Sequence, residues 1–167
     1  MKGGPVEVAV VQTGPPAEPK LNVTAKGAHL PAEMKPILKV ILERILGLQI
    51  DMKEFYRLAM HDGKLKPLAQ KYKGMKPPRY PTVFEALVNA ITCQQFTLTS
   101  GIRMLNRLVA TWGVPLQEGQ ASSHAFPRPE DLAGLELDAL RKIGFSRQKA
   151  RALIDLARMV MDGRLDL

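Results

Sequence analysis

Two adjacent glutamines, Gln94 and Gln95, stand where one amphipathic helical pattern ends and just before the next one begins. A glutamine side chain carries both a donor and an acceptor, so it can enter a groove and hydrogen-bond to the exposed edge of an unpaired base. Ordinary amides at a helix end are the alternative interpretation, and the pattern alone gives that alternative more weight. The pair is nevertheless the part of the sequence that packing explains least well.

A second candidate is the segment 144–150, which reads Gly-Phe-Ser-Arg-Gln-Lys-Ala. Ser146 is predicted to cap a helix, and the free backbone amides at a capped helix start attract phosphate. Arg147 and Lys149 add positive charge at the same place. A plain joint between two helices with solvated basic residues explains the pattern as well, and both interpretations stay open.

The net charge of +8 is concentrated in residues 1–80, which carry +7, whereas residues 81–167 carry +1. The densest part, called the basic stretch here, has no acidic residue and consists of Lys64, Lys66, Lys71, Lys73, Lys76 and Arg79, with Tyr72 and Tyr80 between and beside them. Lysines that neutralise phosphates release counterions, so the stretch predicts a polyanion as partner. A solvated loop that keeps the protein in solution is the other interpretation.

Other chemistry has little support in the sequence. The histidines His29, His61 and His124 lack the spacing of metal ligands, and carboxylates are scattered. The single cysteine, Cys93, cannot form an internal disulfide or a cysteine-ligated metal site, and its pattern predicts a small buried side chain. We therefore expect no metal and no cofactor. No apolar run approaches about 18 residues, so we expect a reduced, cytoplasmic protein that does not enter a membrane.

The elements that position these residues follow from periodicity. Alternating apolar residues at 6–10 and 21–25 predict a β-hairpin around the Gly- and Pro-rich connector 14–19, and two strands alone need a larger sheet or a helix to cover them. An apolar stripe over 34–46 predicts the first helix, and Asp51 is expected to cap the second.

The second half is predicted to be helical. Thr82 and Glu85 form a capping-box pattern before the helix that leads to Gln94. A helix follows whose apolar residues at helical spacing are Ile102, Leu105, Leu108 and Val109. After it come a loop over 114–127, two short helices, and a last helix that begins after Ser146. The predicted fold is α+β and mostly α. Its expected parts are a partial β-rich domain (1–28), a helical connector with the basic segment (29–75) and a partial helical domain (76–167).

The residues from Pro77 to Val88, Pro-Pro-Arg-Tyr-Pro-Thr-Val-Phe-Glu-Ala-Leu-Val, run on into Ile91 and Gln94-Gln95. This stretch resembles the PPR-x-PT-x-FEALV…I…QQ pattern of the alkylbase DNA glycosylases. They are the 3-methyladenine glycosylase II type of the helix-hairpin-helix glycosylase superfamily. The segment Ile143-Gly144-Phe145-Ser146, with Lys149-Ala150, fits the same family, and the resemblance extends from about residue 6 to 167.

The resemblance implies base excision repair on double-stranded DNA with damaged bases, most simply alkylated ones. Such an enzyme bends the duplex, flips the damaged base into a pocket and hydrolyses the N-glycosidic bond. Gln95 matches the side chain that fills the hole left in the stack. The expected DNA-binding residues are Gln94, Gln95, Phe96, Arg79, Ser146, Arg147 and Lys149.

One departure from the family pattern concerns catalysis. The family's Leu-x-Gly-Ile-Gly-x-x-Thr-Ala hairpin and the aspartate that follows it do not occur in residues 1–167, and Asp155, Asp162 and Asp166 do not match that aspartate. The resemblance therefore implies the first helical half of a glycosylase fold, with no catalytic residue in this chain and the catalytic Asp beyond Leu167. On this expectation the chain is inactive alone.

Two other functions fit the same residues. One is a non-catalytic DNA-binding or lesion-sensing module. The other is an interaction protein completed by a second chain, since incomplete domain edges favour self-association. For a DNA-repair protein we expect a cytoplasmic location at the nucleoid.

Overall fold

The computed structural model describes residues 5–14, 20–26, 33–77, 79–116 and 123–167. The helices and strands follow one another as β1 (Glu7–Thr13), β2 (Lys20–Lys26), α1 (Met34–Ile45), α2 (Lys53–Ala59), α3 (Leu65–Lys71), α4 (Val83–Cys93), α5 (Leu98–Trp112), β3 (Val114–Pro115), β4 (His124–Ala125), α6 (Pro129–Ala133), α7 (Leu137–Lys142) and α8 (Arg147–Met161). The predicted α+β, mostly α fold is confirmed. The chain divides into two compact units, one of residues 33–81 and one of residues 1–32 with 82–167.

The N-terminal β-hairpin is antiparallel. Glu7 lies opposite Lys26 and Thr13 opposite Lys20, so that Val10 faces Val23. Val8 and Val10 are half-buried and their neighbours exposed, which is the alternation that the sequence predicts. Most of the predicted connector, residues 15–19, lies outside the described residues, as does His29.

The unit of residues 33–81 contains α1, α2 and α3. Gly47, with φ of +60°, follows the first helix and ends it. The second helix begins at Lys53, with Met52 rather than Asp51 at the capping position; Asp51 instead accepts a hydrogen bond from the Lys53 amide at 2.9 Å. Part of the basic stretch is helical, because α3 lies within it.

Two long-range hydrogen bonds hold the end of this unit. The amide of Gly74 donates to the hydroxyl of Tyr56 at 2.7 Å, and Lys76 Nζ donates to the carbonyl of Gly47 at 2.7 Å. The chain after α3 is thereby tied back to α2 through Tyr56 and to the turn after α1 through Gly47.

In the other unit, the helices α4 to α8 surround an aliphatic core. Its most buried side chains include Val88, Leu108, Leu132, Leu140 and Leu153. The last helix, α8, packs against α6, α7 and α4, and α5 packs against α4. Because it contacts three other helices, α8 is the central element of this core. Burial of each Leu or Val side chain contributes roughly 1.5–3 kcal/mol of transfer free energy.

The predicted loop 114–127 contains a short ladder that periodicity cannot detect. Val114 pairs with Ala125 and Pro115 with His124, and residues 117–122 lie outside the described residues. Strands of two residues have no measurable alternation. Within the described ranges, no helix is long and apolar enough to cross a membrane.

Candidate nucleic-acid interface

The turn between α4 and α5 presents the two glutamines. Thr82 Oγ1 accepts a hydrogen bond from the Glu85 amide at 3.1 Å, so Thr82 caps α4 as predicted. The hydrogen bonds among the described residues do not include the return bond of a capping box, from the Thr82 amide to the Glu85 carboxylate. The helix ends at Cys93, and Thr97 caps α5 by accepting from the Ser100 amide at 3.3 Å. Between these caps the chain reverses in a few residues, and both glutamines are exposed to solvent.

Gln95 has a left-handed backbone conformation, with φ of +56°. In the part of the chain that the structure describes, it is the only non-glycine residue with positive φ. This conformation is costly for a residue with a side chain and clusters at functional sites. The exposed amide of Gln95 therefore stands at the tip of a strained turn, where it is free to meet an external donor or acceptor.

Apolar side chains flank the glutamine pair. Phe96 is 41% exposed, Leu98 76% and Ile102 47%. The prediction that Ile102 faces inward is wrong, because Gly101, Met104, Leu105 and Leu108 form the buried face of α5. Leu98 was not expected at the site. It is in phase with the buried Leu105, but it lies at the end of the helix where the core no longer reaches. Aromatic and aliphatic surface beside amide groups suits contact with the faces and edges of bases.

The junction of α7 and α8 is the second predicted feature, and it has the expected local geometry. Gly144 has φ of +109°, and Ser146 Oγ accepts a hydrogen bond from the Lys149 amide at 3.3 Å, so Ser146 caps α8. The side chain of Arg147 is exposed. Arg107 Nη1 donates to the carbonyl of Ile143 at 3.3 Å and so ties α5 to this junction.

Lys149 connects the two features. Its Nζ donates to the carbonyl of Thr92 at 2.8 Å and to the carbonyl of Gln94 at 2.7 Å. The same nitrogen lies 3.6 Å from the centroid of the Phe96 ring. The structure thus brings Gln94 and Phe96 together with Ser146 and Lys149, which lie 50 to 55 positions further along the chain.

The remaining predicted contact, Arg79, lies in the unit of residues 33–81, and its side chain is exposed. The lysines of the basic stretch are also exposed, apart from the half-buried Lys76. Within the described ranges, no ion pair engages any residue of this stretch. Their charges are therefore available to an external anion.

Titratable groups near the turn are few. Burial raises the pKa of the Glu85 carboxyl, which lies in the first turn of α4. Cys93, predicted to be buried, is half-buried, and its Sγ lies 3.7 Å from Asn89 Oδ1. Among the residues that the structure describes, no group of three or more histidine, cysteine, aspartate or glutamate side chains could hold a metal ion.

An exposed strained turn that carries amides, joined to a capped and basic helix start, has the chemistry of a nucleic-acid-binding unit. Residues 88–166 match the family model described as HhH-GPD superfamily base excision DNA repair protein. This segment, which contains both the turn and the α7–α8 junction, is similar to the proteins of that superfamily.

Curated relatives show a similarity of the same kind. The chain is 29% identical over 115 residues to the DNA-3-methyladenine glycosylase of Bacillus subtilis, a match that covers 69% of this chain and 38% of that protein. It is 28% identical over 106 residues to DNA-3-methyladenine glycosylase 2 of Escherichia coli, covering 64% and 37%. The chain therefore spans less than two fifths of the length of either relative.

The fold is similar to that of the 3-methyladenine DNA-glycosylase from Archaeoglobus fulgidus. The TM-score is 0.73 at 24% sequence identity, and the match covers 90% of this chain and 51% of the other. This similarity extends the assignment of the fold beyond the segment that matches the family model.

Proposed function

We propose that this chain contributes the DNA-contacting helical part of a base excision repair glycosylase that acts on alkylated bases. The observation that carries the proposal is the exposed, left-handed Gln95 at the tip of the α4–α5 turn, within the superfamily segment. A strained residue on the surface that makes no contribution to the core is best explained by a task outside the protein.

In this proposal Gln95 enters the duplex where a base has been flipped out. Its amide replaces the hydrogen bonds of the partner base that stays behind, and Phe96 and Leu98 lie against the neighbouring sugars and bases. Unstacking costs a few kcal/mol and costs least at a damaged base, so a turn that fills the vacated space favours damaged sites.

The backbone of the DNA has its own contacts in the proposal. The amides at the start of α8, with Ser146 and Arg147, receive one phosphate. Arg79 and the exposed lysines of the basic stretch neutralise others, which adds affinity without sequence preference.

The preference for alkylated bases is supported by the names of the curated relatives, which are glycosylases for 3-methyladenine. The chemical step would be hydrolysis of the N-glycosidic bond, and we assign no residue of 1–167 as the catalytic carboxylate. We therefore expect the 167-residue polypeptide by itself to bind damaged duplex DNA and to release no base.

The decisive experiment measures binding to duplexes with and without a reduced abasic analogue, with 2-aminopurine opposite the analogue. Binding is followed by fluorescence anisotropy, and unstacking by 2-aminopurine emission. For Gln95→Ala we expect about a tenfold loss of preference for the abasic duplex, consistent with about 1–3 kcal/mol for a well-placed base contact. Gln70→Ala, which removes an exposed glutamine in α3, is the matched control and keeps the preference.

Two results would contradict the proposal. If the unsubstituted protein binds both duplexes equally, the base-contacting role is wrong. If Gln95→Ala keeps the full preference, another residue carries it. Incubation with methylated duplex DNA tests the catalytic expectation separately, because base release by the pure chain would place a catalytic group within residues 1–167.

A further inference from the structure

We infer that Lys149 is a positioning residue that holds the Gln94–Thr97 turn in its base-contacting conformation, rather than a residue that binds DNA phosphate. The inference rests on the proposed function of the turn. It departs from the simpler view that a lysine in the first turn of α8 adds charge for an anion.

The geometry of the ammonium group carries the inference. Three N–H bonds leave Nζ, and three partners surround it: the carbonyl of Thr92 at 2.8 Å, the carbonyl of Gln94 at 2.7 Å and the face of Phe96 at 3.6 Å. The side chain is half-buried. An ammonium whose three hydrogens all face the protein has none left to donate to a phosphate without giving up a partner.

The two carbonyls are those that the end of α4 leaves open. The last carbonyls of a helix have no partner within the helix, and a cation there also interacts favourably with the helix dipole. Lys149 thus supplies, from a residue 55 positions away, the capping that the α4 C-terminus lacks. Without Lys149, these two carbonyls would have only water as a donor.

Gln95 lies between two of the partners. Gln94 before it and Phe96 after it are both held by the same ammonium, and the Phe96 amide donates to the carbonyl of Cys93 at 3.2 Å. A left-handed residue persists only where its surroundings over-determine the backbone. The contacts of Gln94 and Phe96, on the two sides of Gln95, hold the backbone of Gln95 in this conformation.

The same residue fixes the turn to the start of α8. The Lys149 amide donates to Ser146 Oγ, so the backbone of Lys149 belongs to the cap of α8 while its side chain belongs to the turn. One residue therefore sets the spacing between the proposed base-contacting turn and the proposed phosphate-contacting helix start.

The first test needs no DNA. Amide hydrogen exchange is compared between the unsubstituted protein and Lys149→Met, which keeps an unbranched apolar side chain and removes the donors and the charge. We expect at least a tenfold faster exchange at Phe96, with exchange at the core residue Leu153 unchanged. Lys149→Arg, which keeps N–H donors and charge, is expected to restore most of the protection at Phe96. Lys35→Met, an exposed lysine in α1, controls for the loss of one charge.

Unchanged exchange at Phe96 in Lys149→Met overturns the inference, whatever the protein does with DNA. This arm is thus independent of the proposed function. Should Lys149→Met not fold, NMR of the unsubstituted protein decides. The ring of Phe96 is expected to shift the ε-methylene protons of Lys149 upfield, and this shift is expected to persist when duplex DNA is added. Loss of the shift on DNA binding means that the ammonium leaves the turn for a phosphate, and overturns the inference.

The second test separates positioning from phosphate binding through the salt dependence of DNA affinity. Loss of one phosphate contact lowers the slope of log K against log salt by about 0.9. For Lys149→Met we expect an unchanged slope with at least a fivefold loss of preference for the abasic duplex, whereas Arg147→Met is expected to lower the slope and keep the preference.

A lowered slope with unchanged preference in Lys149→Met contradicts the inference. Absence of any preference in the unsubstituted protein contradicts the proposed function, and the exchange test alone then decides on Lys149.

Discussion

Gly101, in the first turn of α5, lies directly against the side chain of Cys93, the last residue of α4. A β-carbon added to Gly101 would lie 2.6 Å from Cys93 Sγ and 3.3 Å from the Cys93 β-carbon. Real β-carbons essentially never approach another atom as closely as 2.6 Å, so an alanine at residue 101 would force the Cys93 side chain or one of the two helices to move. The close approach lies beside the short turn that carries the glutamines.

Replacing Gly101 with alanine is therefore expected to destabilise the protein, although alanine is the better helix former by about 1 kcal/mol. Overpacking against Cys93 is expected to outweigh that gain and to lower the free energy of unfolding by about 1–3 kcal/mol. Urea unfolding of Gly101→Ala measures the change. Gly134→Ala is the matched control in the same unit, because a β-carbon there meets no atom within 4 Å.

The role of Cys93 in this overpacking can be tested by the same unfolding measurements. Adding Cys93→Ala removes Sγ, so the double variant is expected to recover part of the loss, with a coupling energy above about 0.5 kcal/mol. Strictly additive effects of the two substitutions would show that the close approach does not limit stability.

Gln95 allows stability and DNA recognition to be separated. Because its backbone is left-handed, Gln95→Gly is expected to relieve strain and raise the free energy of unfolding by up to about 1 kcal/mol. The same substitution removes the side-chain amide, so the preference for an abasic duplex is expected to fall as in Gln95→Ala. Thermal or urea unfolding and the anisotropy assay give the two quantities. A glycine variant that is less stable than the alanine variant would argue against a strained turn.

Local features of the fold could be predicted from the sequence, and long-range ones could not. Thr82 and Ser146 cap their helices as expected, because a cap depends on residues three positions apart. The Gln94-Gln95 turn was also expected, since an interruption of the apolar pattern is visible in sequence. The contacts of Lys149 with Thr92 and Gln94 join residues 57 and 55 positions apart, and no local pattern carries them.

The errors have the same origin. The helical spacing of the apolar residues predicts Ile102 on the inner face of α5, yet Gly101 lies on that face, where α4 comes close. Apolar spacing says which residues could share a stripe, and the packing partner decides which stripe is buried. Leu98 is the first residue of α5, and its position beyond the core depends on where this helix begins relative to the helices packed on it, which is again a tertiary property.

Asp131 gives a prediction about pH. Burial raises the pKa of this carboxyl. Hydrogen bonds from the side chain and amide of Arg128, together with the charge of Arg128, lower the pKa by a larger amount in sum, so the pKa lies below its ordinary value. The Arg128 amide donates to Asp131 Oδ2 at 2.8 Å at the start of α6. Because the pKa is lower in the folded protein, the stabilisation is present above the unfolded-state pKa of about 3.9 and is lost as the pH falls through the folded value.

Asp131→Asn is therefore expected to lower the free energy of unfolding at pH 7 by roughly 1 kcal/mol, as for loss of a helix cap, and to differ less from the unsubstituted protein below about pH 4. Urea midpoints between pH 3 and pH 7 measure this. Glu85→Gln is the control with the opposite sign: burial raises the pKa of Glu85, so its replacement is expected to stabilise the protein at pH 7 and to have a smaller effect at low pH. An Asp131→Asn penalty that is constant with pH would exclude the ionised carboxylate as its source.

Residues 144 and 101 are both glycines, but the physical reasons that require glycine at the two positions differ. A β-carbon at Gly144 would lie 3.2 Å from Arg107 Nη1 and 3.2 Å from Met104 Cε, and both atoms end flexible side chains that can move. The constraint is instead its φ of +109°, which side chains other than hydrogen rarely permit. Gly144→Ala is expected to lower the free energy of unfolding by about 1–3 kcal/mol. Because the cost lies in the backbone, adding Arg107→Ala should not recover it, whereas Cys93→Ala should recover part of the Gly101→Ala loss. Urea unfolding gives the free energies of unfolding of the two double variants. Recovery of stability by Arg107→Ala would show that crowding, rather than backbone conformation, requires glycine at the junction of α7 and α8.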